Sequence, residues 1–232
     1  MNKLVNFFKT DPSYKQEVSR YKPADGVLAV MVFIVLMLFY YLMGLLQAKA
    51  NIYLGVPVNL LFIALCAFLV LIRKNGLTSL GFKKKNAGKS ALTGLVLGVL
   101  LILGNAFIRR SGGQTFAPVD VIISKFFYFL VVIALMEEVV FRGYIQSRLF
   151  GLLRHNAVAT GVAGILFTLM HIPYQMGAAG QDLVTFCQNN WWWFITLFIW
   201  HLVFTYLFRR FNSILAPTIF HALMDWSNIL FV

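Results

Sequence analysis

Residues 26–48 read GVLAVMVFIVLMLFYYLMGLLQA, 23 consecutive residues without one charged side chain. A helix needs about 20 predominantly apolar residues to cross the hydrocarbon core of a bilayer, so this stretch is long enough to span one. Six more apolar runs follow, at 53–72, 91–108, from about Val121 onward, 157–171, 191–208 and 214–232. Pro173 is expected to close the fifth of them. The whole chain has the same character, with 60% hydrophobic and 12% charged residues. A soluble domain carries about 25% charged residues. The expected fold class is therefore all-α, a polytopic membrane helix bundle of about seven transmembrane helices.

The net charge is +12, but it is not the footprint of a nucleic-acid binder. The lysines and arginines lie between the apolar runs, which is a topology pattern and not a basic groove. Threading the seven runs gives one end of the bundle sixteen lysines and arginines, from the N-terminal segment, 73–89, 142–154 and Arg209–Arg210. The other end has Lys49, Arg109 and Arg110, and Lys125 falls within a run. The positive-inside rule makes the richer end cytoplasmic. A multi-pass cell-membrane protein is expected, with its N-terminus inside and its C-terminus outside.

The chain reads as one domain in three parts. Residues 1–24 form a cytoplasmic segment, too polar for a cleaved signal peptide and expected to be partly helical around Leu4 to Phe8. Residues 25–118 are N-terminal transmembrane helices, and 119–232 form the core that carries the chemistry. Gly94 and Gly98 have the small-xxx-small spacing of a close helix contact. Cys66 and Cys187 imply neither a disulfide framework nor a metal site.

Residues 136–142 read Met-Glu-Glu-Val-Val-Phe-Arg. A carboxylate inside a membrane costs about 2.5–3.5 kcal/mol on insertion scales, so an intramembrane acid is by default functional. Glu138 and Arg142 are four residues apart and can pair on one helix face. Glu137 points about 100° away and is the freer carboxylate, suited to general-base work, with Glu138 left to anchor Arg142. His171 and His221 lie in later apolar runs, and Asp225 is one turn after His221, placed to orient it. His201 has no acidic neighbour in sequence and reads as a packing residue. Depth unites the set. Glu137 and His171 are equally far, 17 residues, on either side of the polar break at Arg154. In a helical hairpin that separation is about 25 Å of rise for each. His221 follows Arg210 by 11 residues, a rise of about 16 Å. These residues can meet in one buried active-site layer.

Two chemistries use such a set. Glu137, His171 and His221 could ligate a zinc ion that keeps a water in its fourth position. Alternatively, Glu137 could activate water while the histidines stabilise an oxyanion. No organic cofactor is implied.

Glu-Glu-x-x-x-Arg at 137–142, Phe-x-x-x-His at 167–171 and His-x-x-x-Asp at 221–225 together resemble the CPBP family. That family comprises the CAAX prenyl endopeptidases of the Rce1 type and the bacteriocin-processing or immunity proteins, also called ABI. The resemblance covers about 126–232. Ser213-Ile214-Leu215-Ala216-Pro217 looks like the start of the family's last helix, and Ser79-Leu80-Gly81-Phe82 like a stretch that often precedes the core. It implies an intramembrane endopeptidase acting on a membrane-associated or prenylated protein or peptide. Glu137 would activate water, with Glu138, Arg142, His171 and His221 around it and the lipid bilayer as its setting. The family has been classed both as a metalloprotease and as a glutamate protease. The last motif often ends in Asn where this chain has Asp225, which when ionised only accepts hydrogen bonds. A non-catalytic immunity or regulatory protein is the main alternative. A transporter is disfavoured because paired broken helices are lacking.

Overall fold

The computed structural model describes residues 9–232. The helix expected around Leu4 to Phe8 lies outside the described residues. A short helix, α1 (Pro12–Val18), is followed by α2 (Pro23–Ala50), α3 (Gly55–Ile72), α4 (Ala87–Ser111), α5 (Val119–Leu153), α6 (Asn156–Ala178), α7 (Leu183–Phe211) and α8 (Leu215–Ser227). Six of them, α2 to α7, are long and apolar enough to cross a membrane. Large apolar side chains such as Met31, Ile34, Phe68, Leu100, Leu103 and Phe107 face outward around the bundle. An apolar exterior on this scale suits lipid and not water.

The helix ends follow local rules. Pro12 and Pro23 open α1 and α2, where the missing N–H costs nothing. The Asp182 carboxylate caps α7 by accepting from the Val184 and Thr185 amides, each at 3.0 Å. Arg154 takes a left-handed conformation (φ 52°) and ends α5, and the His155 ring caps α6. The hairpin expected at Arg154 is therefore present, with α5 continuing unbroken through Arg142 and Arg148. Arg142 and Arg148 lie inside the bundle and not in a basic loop, which leaves fourteen cations at that end.

Two expectations are corrected. Pro173 does not end the fifth helix; it lies within α6. Its ring removes one backbone donor, and the Pro173 and Tyr174 carbonyls lie against Gly44 of α2, each 2.9 Å from where a Cβ would be. The seventh run is not a full-length membrane helix. α8 has 13 residues, about 20 Å of rise. Beyond it, Val232 and Thr115 exchange backbone hydrogen bonds of 3.0 and 2.9 Å.

Two ends are thereby defined. The basic end joins the N-terminal segment, the 3-10 turn Leu77–Leu80 and the 212–214 link. There the Asp11 amide donates to the Arg209 carbonyl and the Ile214 amide to that of Gly81, both at 3.0 Å. The far end joins 51–54, 112–118, 179–182 and 228–232, with the Tyr53 and Tyr128 hydroxyls hydrogen-bonded across it. Gly94 and Gly98 do make a close contact: a Cβ there would lie 2.5 Å from the Ala216 carbonyl and 2.3 Å from Leu223, both of α8. This contact holds α8, and with it His221, against α4. Both cysteines are free.

Every residue from 136 to 151 is buried, which makes the second half of α5 the axis of the bundle. Gly151 there meets the backbone of Lys22, whose carbonyl oxygen would be 2.1 Å from an added Cβ. Gly151→Ala is therefore expected to force α1 and α2 away from α5 and to cost about 1–3 kcal/mol. Thermal unfolding in detergent measures this, and an unchanged midpoint would refute the contact.

Candidate active site

The backbone of α5 is unusual where the chemistry lies. Two π-helical stretches, Tyr128–Ala134 and Glu138–Gln146, flank a single α-turn, Leu135–Glu137. Such widened turns re-aim side chains and are frequent at functional sites. Here they leave Glu137 and Glu138 facing different neighbours.

Glu138 is fully buried. Its Oε1 accepts from Arg142 Nη1 at 3.1 Å, as the spacing indicated, and from His221 Nδ1 at 3.0 Å. Arg142, also fully buried, is held by two aromatic faces, with its guanidinium carbon 4.2 Å from the Phe167 ring centre and 5.2 Å from that of Phe204. Phe204 in turn stacks on His221 at 4.5 Å. The role expected for Glu138 was too narrow, because it positions a histidine as well as an arginine.

Glu137 faces the other way. Its carboxylate lies 3.9 Å from His171 Nε2 and 3.8 Å from His221 Nε2, and its Oε2 has no hydrogen-bond partner among the described residues. His171 Nδ1 is 2.9 Å from the Phe167 carbonyl. It must donate there, which leaves the Nε2 lone pair toward Glu137. Phe167 thus serves the site twice, through its ring and through its carbonyl. Trp193 meets the His171 ring edge-on at 5.6 Å. His221 Nε2 is also 3.4 Å from Asp225 Oδ2, so the ring lies between two carboxylates and, doubly protonated, can donate to both.

Glu137, His171 and His221 border a cavity of about 400 Å³ with Asp225, Trp200 and Gln175. A smaller one of about 140 Å³ meets it at Glu137 and His171. The layer expected from the sequence therefore forms, with Glu137, His171, His221 and Asp225 lining the cavity and Glu138 and Arg142 beneath it. His201 stays outside. It is buried beside Thr205 Oγ1 (3.2 Å), whose hydroxyl donates to Gln146 (2.8 Å).

The donor set does not fit a tetrahedral zinc ion as it stands. Bond lengths of about 2.0–2.1 Å place tetrahedral donors about 3.3–3.4 Å apart. The separations here are 3.8 and 3.9 Å, and no group of three or more His, Cys, Asp or Glu among the described residues is arranged to hold an ion.

Residues 118–227 match the family model described as type II CAAX prenyl endopeptidase Rce1-like. This segment is Rce1-like. The family whose model it matches is one of CAAX prenyl endopeptidases, and the six long apolar helices suit a multi-pass membrane protein. The Rce1-like segment contains all six residues singled out around the cavity. A search of curated proteins gave no match to the chain.

Proposed function

We propose that the protein is an intramembrane endopeptidase in which a water activated by Glu137 hydrolyses a peptide bond of a membrane-associated polypeptide. The observation that carries this reading is the Glu137 carboxylate, buried at the floor of a cavity between two imidazoles and without a hydrogen-bond partner on one oxygen. A water there can donate to Glu137 and to the free Nε2 of His171 while its oxygen lone pair faces a carbonyl carbon. As the C–O bond forms, Glu137 takes the proton. The carbonyl oxygen becomes an oxyanion within reach of His221 Nε2–H, the hydrogen that also faces Asp225 across 3.4 Å. Collapse breaks the C–N bond, and Glu137 passes its proton to the leaving amine. Charge-directed donors of this kind supply much of the barrier reduction in acyl transfer.

In this mechanism Glu138 and Asp225 hold His221 from its two nitrogens. Asp225 is the weaker partner, at 3.4 Å against 3.0 Å for Glu138. Asp225→Asn is expected to lower the turnover rate about tenfold, the value of one charge-assisted hydrogen bond, and Asp225→Ala to lower it further. Asp225→Asn with activity at or above the parent's would mean that this position donates to the oxyanion instead of orienting His221.

The test uses purified protein in liposomes with anchored peptides. Cleavage is expected to persist within about twofold after chelation, since the carboxylate itself supplies the general base. Loss of activity on chelation with recovery on adding zinc would replace this mechanism with a metal-based one.

A further inference from the structure

The cavities that meet at Glu137 all extend from it in one direction. α5 and α7 run from the far end to the basic end, and α6 and α8 run the opposite way. On α5 the lining residues Tyr128 and Ile133 precede Glu137. On α6 Gln175 follows His171, on α7 Trp193 precedes Phe204, and on α8 Asn228 follows His221. Each of these steps leads to the far end. A third cavity, about 350 Å³ between α4, α7 and α8, adjoins the first at Trp193, Asp225 and Asn228 and reaches Asn105 near the far end of α4. Toward the basic end the site is closed. Glu138, Phe141, Arg142 and Gln146 have no exposed surface at all, and the Arg142 guanidinium is clasped between Phe167 and Phe204.

Lysine and arginine concentrate at the closed end, and that end is the cytoplasmic one by the positive-inside rule. We therefore infer that the reaction chamber opens to the non-cytoplasmic face, so that the substrate is a polypeptide segment exported to, or held at, that face and not the C-terminus of a cytoplasmic lipidated protein. This rests on the protease reading above for the word substrate, but the direction of opening does not. The wall chemistry agrees. The three cavities are lined by aromatic, aliphatic and amide side chains with His171, His221, Glu137 and Asp225, and no lysine or arginine lines any of them. A site that cuts a few residues from a free C-terminus benefits from a cation to receive the terminal carboxylate. An acidic and aromatic chamber instead suits the interior of a chain.

Single cysteines test this in intact cells expressing the full chain. The background is Cys187→Ser, since Cys66 is fully buried. Asn228→Cys and Gln175→Cys report on the chamber, and Lys84→Cys reports on the basic end. A membrane-impermeant maleimide added outside is expected to label both chamber cysteines, and Lys84→Cys only after the membrane is permeabilised. Chamber cysteines that label only after permeabilisation, or Lys84→Cys labelled from outside, would overturn the inference. Labelling requires no turnover. A chamber that labels from outside in a protein that cleaves nothing would refute the protease reading and leave the sidedness standing.

Discussion

Glu137→Gln is expected to reduce cleavage by about 10³-fold, within the range that a positioned general base contributes, and to leave the fold intact. The amide keeps the shape of the side chain but cannot accept the proton of the attacking water. Stability should not fall, because Glu137 makes no hydrogen bond through Oε2 and its nearest polar neighbours are 3.8 and 3.9 Å away. Removing a buried charge that lacks close partners relieves a desolvation cost. Side-by-side kinetics and thermal unfolding of purified protein measure both effects. A variant that is inactive because it unfolds would contradict the arrangement described here.

Glu138→Gln is expected to do the opposite, costing about 3–5 kcal/mol of stability because it strands a fully buried arginine. Activity should fall as well, since the closest acceptor of His221 becomes a neutral amide that no longer stabilises charge on the imidazole. Two further variants separate the effects. Glu138→Leu combined with Arg142→Met removes both charges and should recover most of the stability, as replacements of whole buried pairs often do. It should not recover activity, because His221 still lacks its acceptor. A stable Glu138→Gln protein would show that the pair contributes little, and an active double variant would show that Glu138 does not position His221.

The different surroundings of the two glutamates were legible because a helix converts spacing into direction. Four residues from Glu138 to Arg142 put them on one face, and one residue turns Glu137 away from it. The equal distances of Glu137 and His171 from Arg154 likewise gave their common depth, since α5 and α6 form a hairpin there. What the sequence hid was set by tertiary contact. Glu138 and His221 are 83 positions apart, and no local periodicity connects them. Nor did residues 128–146 signal their π-helical turns. Pro173 was read by its local tendency to stop a helix, whereas the helix continues past it, packing Gly177 of α6 closely on Gly44 of α2. The seventh run had enough apolar residues to cross a membrane, but the chain turns after Ser227 to pair with Thr115 and Ala117. Nothing local marked Phe167 and Phe204 as the two rings that enclose Arg142.

The most direct test is to incubate membranes from cells carrying the parent or the Glu137→Gln protein in heavy-oxygen water and to sequence new peptide ends by mass spectrometry. Hydrolysis puts one oxygen of the attacking water into each new C-terminal carboxylate. The expected result is a set of heavy-oxygen ends from membrane-associated polypeptides that is present with the parent and missing with Glu137→Gln. The same ends in both samples, or none in either, would contradict a hydrolytic role for Glu137.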